Sequence, residues 1–133
     1  MTKIDWCKKL NWTEEQIEDL TYTGYAYIRQ GKYDIAIVFF EALVAIDPKT
    51  PYHWQTLGAL YLQTNQYGKA IKTFDSALKL EANHNPTLMN LCKALLMIGK
   101  KEEGLKLASI LKKEQDPEIS NVATALLLAH GTI

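Results

Sequence analysis

Trp54-Gln-Thr-Leu57-Gly58-Ala-Leu-Tyr61, followed nine residues later by Ala70-Ile-Lys-Thr-Phe74, is the stretch whose reading decides the fold. Trp54, Leu57, Gly58 and Tyr61 fall at i, i+3, i+4 and i+7, which is one face of a helix. Ala70, Phe74 and Ala77 mark one face of a second helix. Small residues (Gly58, Ala70) let two backbones approach, and large ones (Trp54, Tyr61, Phe74) fill the volume beside the contact. Between the helices lies Thr64-Asn65-Gln66, with Asn where a helix ends in positive φ.

The same pattern recurs at a shift of 34 residues in both directions. Upstream, Gly24, Tyr27, Tyr33, Ala36 and Phe40 fall on Gly58, Tyr61, Tyr67, Ala70 and Phe74. Downstream, Cys92 meets the glycine column, Leu95 the tyrosine column, Gly104 the alanine column and Ala108 the phenylalanine column. The turns repeat as well, as Gln30-Gly31-Lys32 and Ile98-Gly99-Lys100. A fixed period of this length marks a stacked array of helical hairpins. The expected units cover residues 17–50, 51–84 and 85–116, inside a repeat region of 13–116.

The flanks also read as helices. Thr13-Glu-Glu-Gln16 is a capping box that opens the first repeat helix. Asp116-Pro117 starts a last helix, with Asp116 as cap and Pro117 in the first turn. Ile119, Val122, Ala123, Leu126 and Leu127 share one face of it, so residues 117–133 are expected to form a capping helix and tail. A unit of this kind cannot bury its own face alone, which is why an array needs a closing element. Residues 1–12, with Trp6, Leu10 and Trp12, are expected to form an N-terminal arm or short helix.

Composition narrows the partner. Fifteen basic and fifteen acidic residues among 133 cancel, and the lysine pairs are interspersed with acidic residues. Nucleic acid and anionic membranes are held by clustered positive charge, so neither is expected as a partner. No stretch approaches 18 apolar residues and no apolar run follows Met1, so no membrane insertion and no signal peptide are expected, and the location is read as cytoplasmic. Cys7 and Cys92 have neither metal-ligand nor CxxC spacing, so no metal and no cofactor are expected.

This pattern resembles the tetratricopeptide repeat family, with the middle unit the strongest match and the third eroded at Cys92, Leu95 and Gly104. The resemblance implies an all-α fold: three helical hairpins in a right-handed superhelix with a C-terminal capping helix. In that fold a second face of each first helix lines the concave side. Those faces read Tyr25 and Ile28, then Tyr52, Gln55, Ala59 and Leu62, then Met89, Lys93 and Leu96. Six large apolar groups in one concavity mark a binding site, and Met and Tyr suit an adaptable one. Tetratricopeptide co-chaperones that capture a C-terminal carboxylate share a set of Lys, Asn and Arg on these helices. The matching places here hold Thr21, Tyr25, Thr56, Pro86 and Asn90, so that clamp is absent.

Within the family, Gly31 to Pro48, with leucine at 43, and Tyr52 to Tyr67 look like the translocator-class chaperones of bacterial type III secretion. Glu114-Gln-Asp-Pro-Glu-Ile119 resembles the needle-subunit chaperones of the same systems. This implies a protein-binding chaperone that holds an apolar extended or helical segment of a translocator or needle subunit before export. A homodimer or a small co-chaperone is the further partner implied, with Trp6, Leu10 and Trp12 as the candidate dimer contacts. The other reading is a general tetratricopeptide adaptor or scaffold in another pathway.

An enzyme is not expected. His53, His84 and His130 lie far apart, the serines lack a nucleophile motif, and no Gly-rich phosphate loop exists. Glu14, Glu15, Glu18 and Asp19 suit the positive end of a helix. Cys92 reads as packing in a small-residue column.

Overall fold

Seven α-helices follow one another along residues 11–131, the part of the chain that the computed structural model describes. They are α1 (Glu14–Arg29), α2 (Tyr33–Ile46), α3 (Pro51–Gln63), α4 (Tyr67–Leu80), α5 (Asn85–Met97), α6 (Lys101–Leu111) and α7 (Pro117–His130). Each packs on its sequence neighbours, and α3 also touches α5, as α5 touches α7. The described chain is therefore all-α, a row of hairpins in which the odd-numbered helices form one layer and the even-numbered helices the other. Trp6, Cys7 and Leu10 lie outside the described residues; Trp12 is half-buried just ahead of the first cap.

The helix ends follow local chemistry. Thr13 caps α1 through the expected box: its Oγ1 accepts from Gln16 N at 3.1 Å, and Thr13 N donates to Gln16 Oε1 at 2.9 Å. Asp116 Oδ1 caps α7 by accepting from Glu118 N at 2.9 Å. The three intra-hairpin turns share one geometry. Gly31, Asn65 and Gly99 take φ of 74°, 63° and 92°. In each turn the next N–H reaches back five residues, from Lys32 to Tyr27 O (2.9 Å), Gln66 to Tyr61 O (2.8 Å) and Lys100 to Leu95 O (2.9 Å). A left-handed residue closed by such a bond satisfies the last carbonyls of one helix and turns the chain into the next.

Within the first two hairpins, a glycine meets a phenylalanine. A Cβ at Gly24 would stand 2.8 Å from Phe40 Cε2, and one at Gly58 would strike Phe74 Cε1. Both rings are fully buried, beside Ala36 and Ala70. The third hairpin exchanges the pair. Cys92 replaces the glycine and Ala108 the phenylalanine, both are fully buried, and Cys92 Sγ donates to Gly104 O at 3.2 Å. The larger member now sits on the first helix, but the pair is smaller in total, so neighbouring side chains must fill the space. Burial raises the pKa of the Cys92 thiol and leaves it a packing group.

Two apolar clusters result. The first joins α2, α3, α4 and Ala94 of α5 around Phe40, Phe74, Leu43, Leu57 and Tyr61. The second joins α5, α6 and α7 around Cys92, Met89, Leu96, Leu111 and Ile119. Helix α5 contributes to both, which ties the eroded unit to the strong one.

Gly58→Ala is expected to lower stability by about 1–3 kcal/mol, because the added methyl meets a ring with no room to retreat. Gly68, inside α4 with nothing within 4 Å of its added Cβ, is the control. Gly68→Ala is expected to raise stability by about 0.4–1 kcal/mol. Urea unfolding of both variants measures the contrast.

Candidate functional site

The odd-numbered helices leave two adjoining depressions along their layer. One of about 460 Å³ lies among α1, α3 and α5 and is lined by Tyr25, Ile28, Tyr52, Gln55 and Ala59, together with Thr56, Gln63, Pro86 and Asn90. The other, about 570 Å³, lies among α3, α5 and α7 and is lined by Ala59, Leu62, Lys93 and Leu96, with Leu126 and His130. Ala59, Gln63 and Asn90 border both, so the two form one continuous wall. Among the described residues no carboxylate lines either depression, and Lys93 is the lone lysine or arginine in their lining.

Aromatic contacts fix one end of the wall. Tyr25 stacks on Tyr52 with ring centroids 5.9 Å apart and an interplanar angle of 21°. It also stands edge-on to Phe40 at 6.3 Å. Tyr25 remains 37% exposed, so a ring held from two sides still offers a face outward. Held this way it would lose little rotamer freedom on contact with a ligand. Gln55 is tied to the α4–α5 corner, its Nε2 donating to Glu81 Oε2 at 3.0 Å. Side-chain amides of Gln63, Asn65 and Asn90 spread along the middle of the wall, where they can pair with the main chain of an extended segment.

Of the nine expected groove residues, eight line the wall and Met89 does not. Met89 is 4% exposed and packs with Ile119 and Ala123, because α7 lies against α5 and covers that side of it. Leu96 is only 9% exposed. It closes over Gly104, whose added Cβ would lie 2.7 Å from Leu96 Cδ2, so only its edge meets the wall. Both residues belong to the buried cluster of Cys92 and Ala108. Leu126 and His130 were missed, yet the period held a signal for one of them. Carried 34 residues further, the column of Ile28, Leu62 and Leu96 lands on His130.

His53 and Tyr61 are buried titratable groups tied into the packing. At the α2–α3 corner, Asp47 Oδ2 accepts from His53 Nε2 at 3.0 Å and from Thr50 Oγ1 at 2.8 Å. Trp54 Nε1 donates to Pro48 O at 2.8 Å. His53 is 4% exposed, and its buried Nδ1 has no partner among the described residues. Burial holds its pKa below the usual 6.5, against the opposing pull of Asp47. Tyr61 donates its hydroxyl to Glu41 Oε2 at 2.6 Å, and burial first, then that carboxylate, pushes its pKa up. Among the described residues, no group of three or more His, Cys, Asp or Glu could hold a metal, and no helix is long and apolar enough to cross a membrane.

With this geometry in place, comparison with known proteins gives the family. Residues 29–111 match the model of the family described as anaphase-promoting complex, cyclosome, subunit 3. The chain belongs to that family. It is a tetratricopeptide protein, and in fold it resembles type III secretion chaperones. Anaphase-promoting complex subunit 6 of Arabidopsis thaliana is 32% identical over 89 residues, 63% of this chain but 16% of its own length. The chain thus spans about one-sixth of that curated relative. A crystal structure of the Yersinia enterocolitica type III secretion chaperone SycD, in complex with a peptide of the translocator YopD, superposes with a TM-score of 0.78 at 24% identity. The match covers 88% of this chain and 93% of that one. The first tetratricopeptide domain of Spaghetti (RPAP3), bound to an HSP90 peptide, gives 0.78 at 21% identity, covering 90% and 97%. These likenesses establish the fold.

The His53 corner predicts a pH dependence. The unfolded histidine takes a proton near 6.5, whereas the folded ring resists it, so the unfolded state binds more protons below that pH. Stability is therefore expected to fall as pH drops from about 7.5 to about 5.5, through loss of the buried neutral ring. Urea midpoints across that range should show a shallower slope for His53→Gln than for the wild type.

Proposed function

We propose that this protein is a binding chaperone whose concave wall, from Tyr25 on α1 to Leu126 on α7, holds an apolar segment of another polypeptide. The observation that carries the reading is the continuity of that wall: an aromatic end, a middle of amides, and an aliphatic end, with no carboxylate along it among the described residues. A segment lying there buries apolar side chains against Tyr25, Ile28, Tyr52 and Leu62 while the amides meet its main chain. Two or three anchors give roughly 3–9 kcal/mol gross, at about 1.5–3 each. Ordering and association costs reduce this to micromolar-type affinity.

A secretion substrate suits the wall, because a subunit that assembles after export must have its apolar segment covered beforehand. We propose a translocator or needle subunit as that substrate and the cytoplasm as the place of binding. Two likenesses in fold support this class of ligand: the SycD structure holds a peptide of a translocator, and the RPAP3 domain holds an HSP90 peptide. The general adaptor reading draws on the subunit of the anaphase-promoting complex instead. The missing carboxylate clamp disfavours an HSP90-type C-terminus as the main handle.

Capture of the native partner, identified by mass spectrometry, tests the reading with a variant at the centre of the wall. Ala59→Arg places a long cation where the two depressions meet, on a half-buried site that the fold does not need. The expected result is loss of the captured chain with the melting temperature unchanged. Capture of the same partner by wild type and variant alike would refute the concave site. A partner that is not a secreted subunit would favour the adaptor.

A further inference from the structure

The convex side carries a feature that the concave wall does not explain, and the repeat supplies an internal control for it. On α4 the outward positions hold Lys69, Lys72, Ser76 and Lys79. The equivalent positions of the third unit hold Glu103, Lys106, Ile110 and Lys113. On α2 the same four positions hold Ile35, Val38, Ala42 and Ala45. All four are exposed, Ile35 at 42% and Val38 at 62%. The fold asks for nothing apolar there, because its own second unit places lysine at three of the four positions.

The spacing tells what kind of surface this is. Residues at i, i+3, i+7 and i+10 form the narrow seam that one helix presents to another, at heptad positions a, d, a and d. The core-facing side of α2 is supplied separately by Ala36, Ile37, Phe40 and Leu43. In the same heptad Asp34 and Glu41 both occupy position g, at the edge of the seam, and α2 contains no lysine or arginine. The bond from Tyr61 holds Glu41 at that edge. Ala42 and Ala45 are small enough for a second helix to approach closely.

We propose that the outer face of α2 is a second docking site, which takes an amphipathic helix of another protein with aliphatic residues along its seam and lysine or arginine beside them, opposite Asp34 and Glu41. A second copy of this chain fits the charges poorly. An antiparallel α2 pair about a two-fold axis sets g against g, carboxylate against carboxylate, and brings the lysine rows of the two α4 helices to the same side. A parallel pair faces each g carboxylate with Phe39 or Ile46, which carry no charge. A basic-flanked helix answers both the seam and its edge. The site is independent of the concave wall, so the chain can hold two polypeptides at once.

The test uses the full chain and two fluorescent synthetic helices, with leucine at a and d and either arginine or glutamate at e and g. The arginine helix is expected to bind, and the glutamate helix to bind several-fold more weakly, as judged by anisotropy. Ile35→Lys combined with Val38→Lys writes the second unit's residues into the first. It should weaken binding by about tenfold or more, with the melting temperature unchanged. Ala59→Arg in the concave wall should leave binding as it is. The proposal fails if neither helix binds, if the double variant binds as well as wild type, or if light scattering finds a dimer that the double variant dissolves; that last result gives the face to a second copy.

Discussion

The rest of this structure depends on the contact between a glycine on the first helix of a hairpin and a phenylalanine ring on the second. At Gly24–Phe40 and Gly58–Phe74 the ring occupies the space that any Cβ would take. That contact sets the distance between paired helices, and the distance sets which side chains each helix turns toward its neighbours. The third hairpin departs from this contact, with Cys92 for glycine and Ala108 for phenylalanine, a pair smaller in total. The array tolerates this change because neighbouring side chains, Met89 and Leu96, pack into the same core.

Close pairing within hairpins has a consequence for the layer of odd-numbered helices. Their inner faces go to the hairpin cores, and α3 and α5 also pack on α5 and α7 respectively. What remains is a shallow curved wall that none of the seven described helices covers. Its aromatic end is preorganised by the Tyr25–Tyr52 stack and its far end is completed by α7, which closes the array and lines the site with one helix. Burial of Met89 and near-burial of Leu96 are the counterpart of this closure: the eroded hairpin draws two residues from the wall into its core.

The two layers therefore present unlike surfaces. The concave one suits an extended or helical apolar segment, which is the basis for reading the protein as a chaperone or adaptor. The convex one is charged on α4 but apolar on α2, although one repeat underlies both. A repeat makes such departures legible, because each unit states what the fold alone requires of the others.

Much of this was present in the sequence by itself. The 34-residue period, the glycine and phenylalanine columns, the Thr13 and Asp116 caps and the three left-handed turns at Gly31, Asn65 and Gly99 are local or periodic. Helix geometry converts them directly into hairpins. The concave column was legible for the same reason, down to Tyr25, Tyr52 and Leu62. Only the tertiary structure decided how deep each member of that column sits. Met89 and Leu62 follow the same kind of helix-face reading, yet one is covered by α7 and the other faces the wall. Depth depends on which helix comes to lie alongside and on the volume its neighbours leave unfilled. Those are properties of the packed array, beyond the reach of any single helix's periodicity.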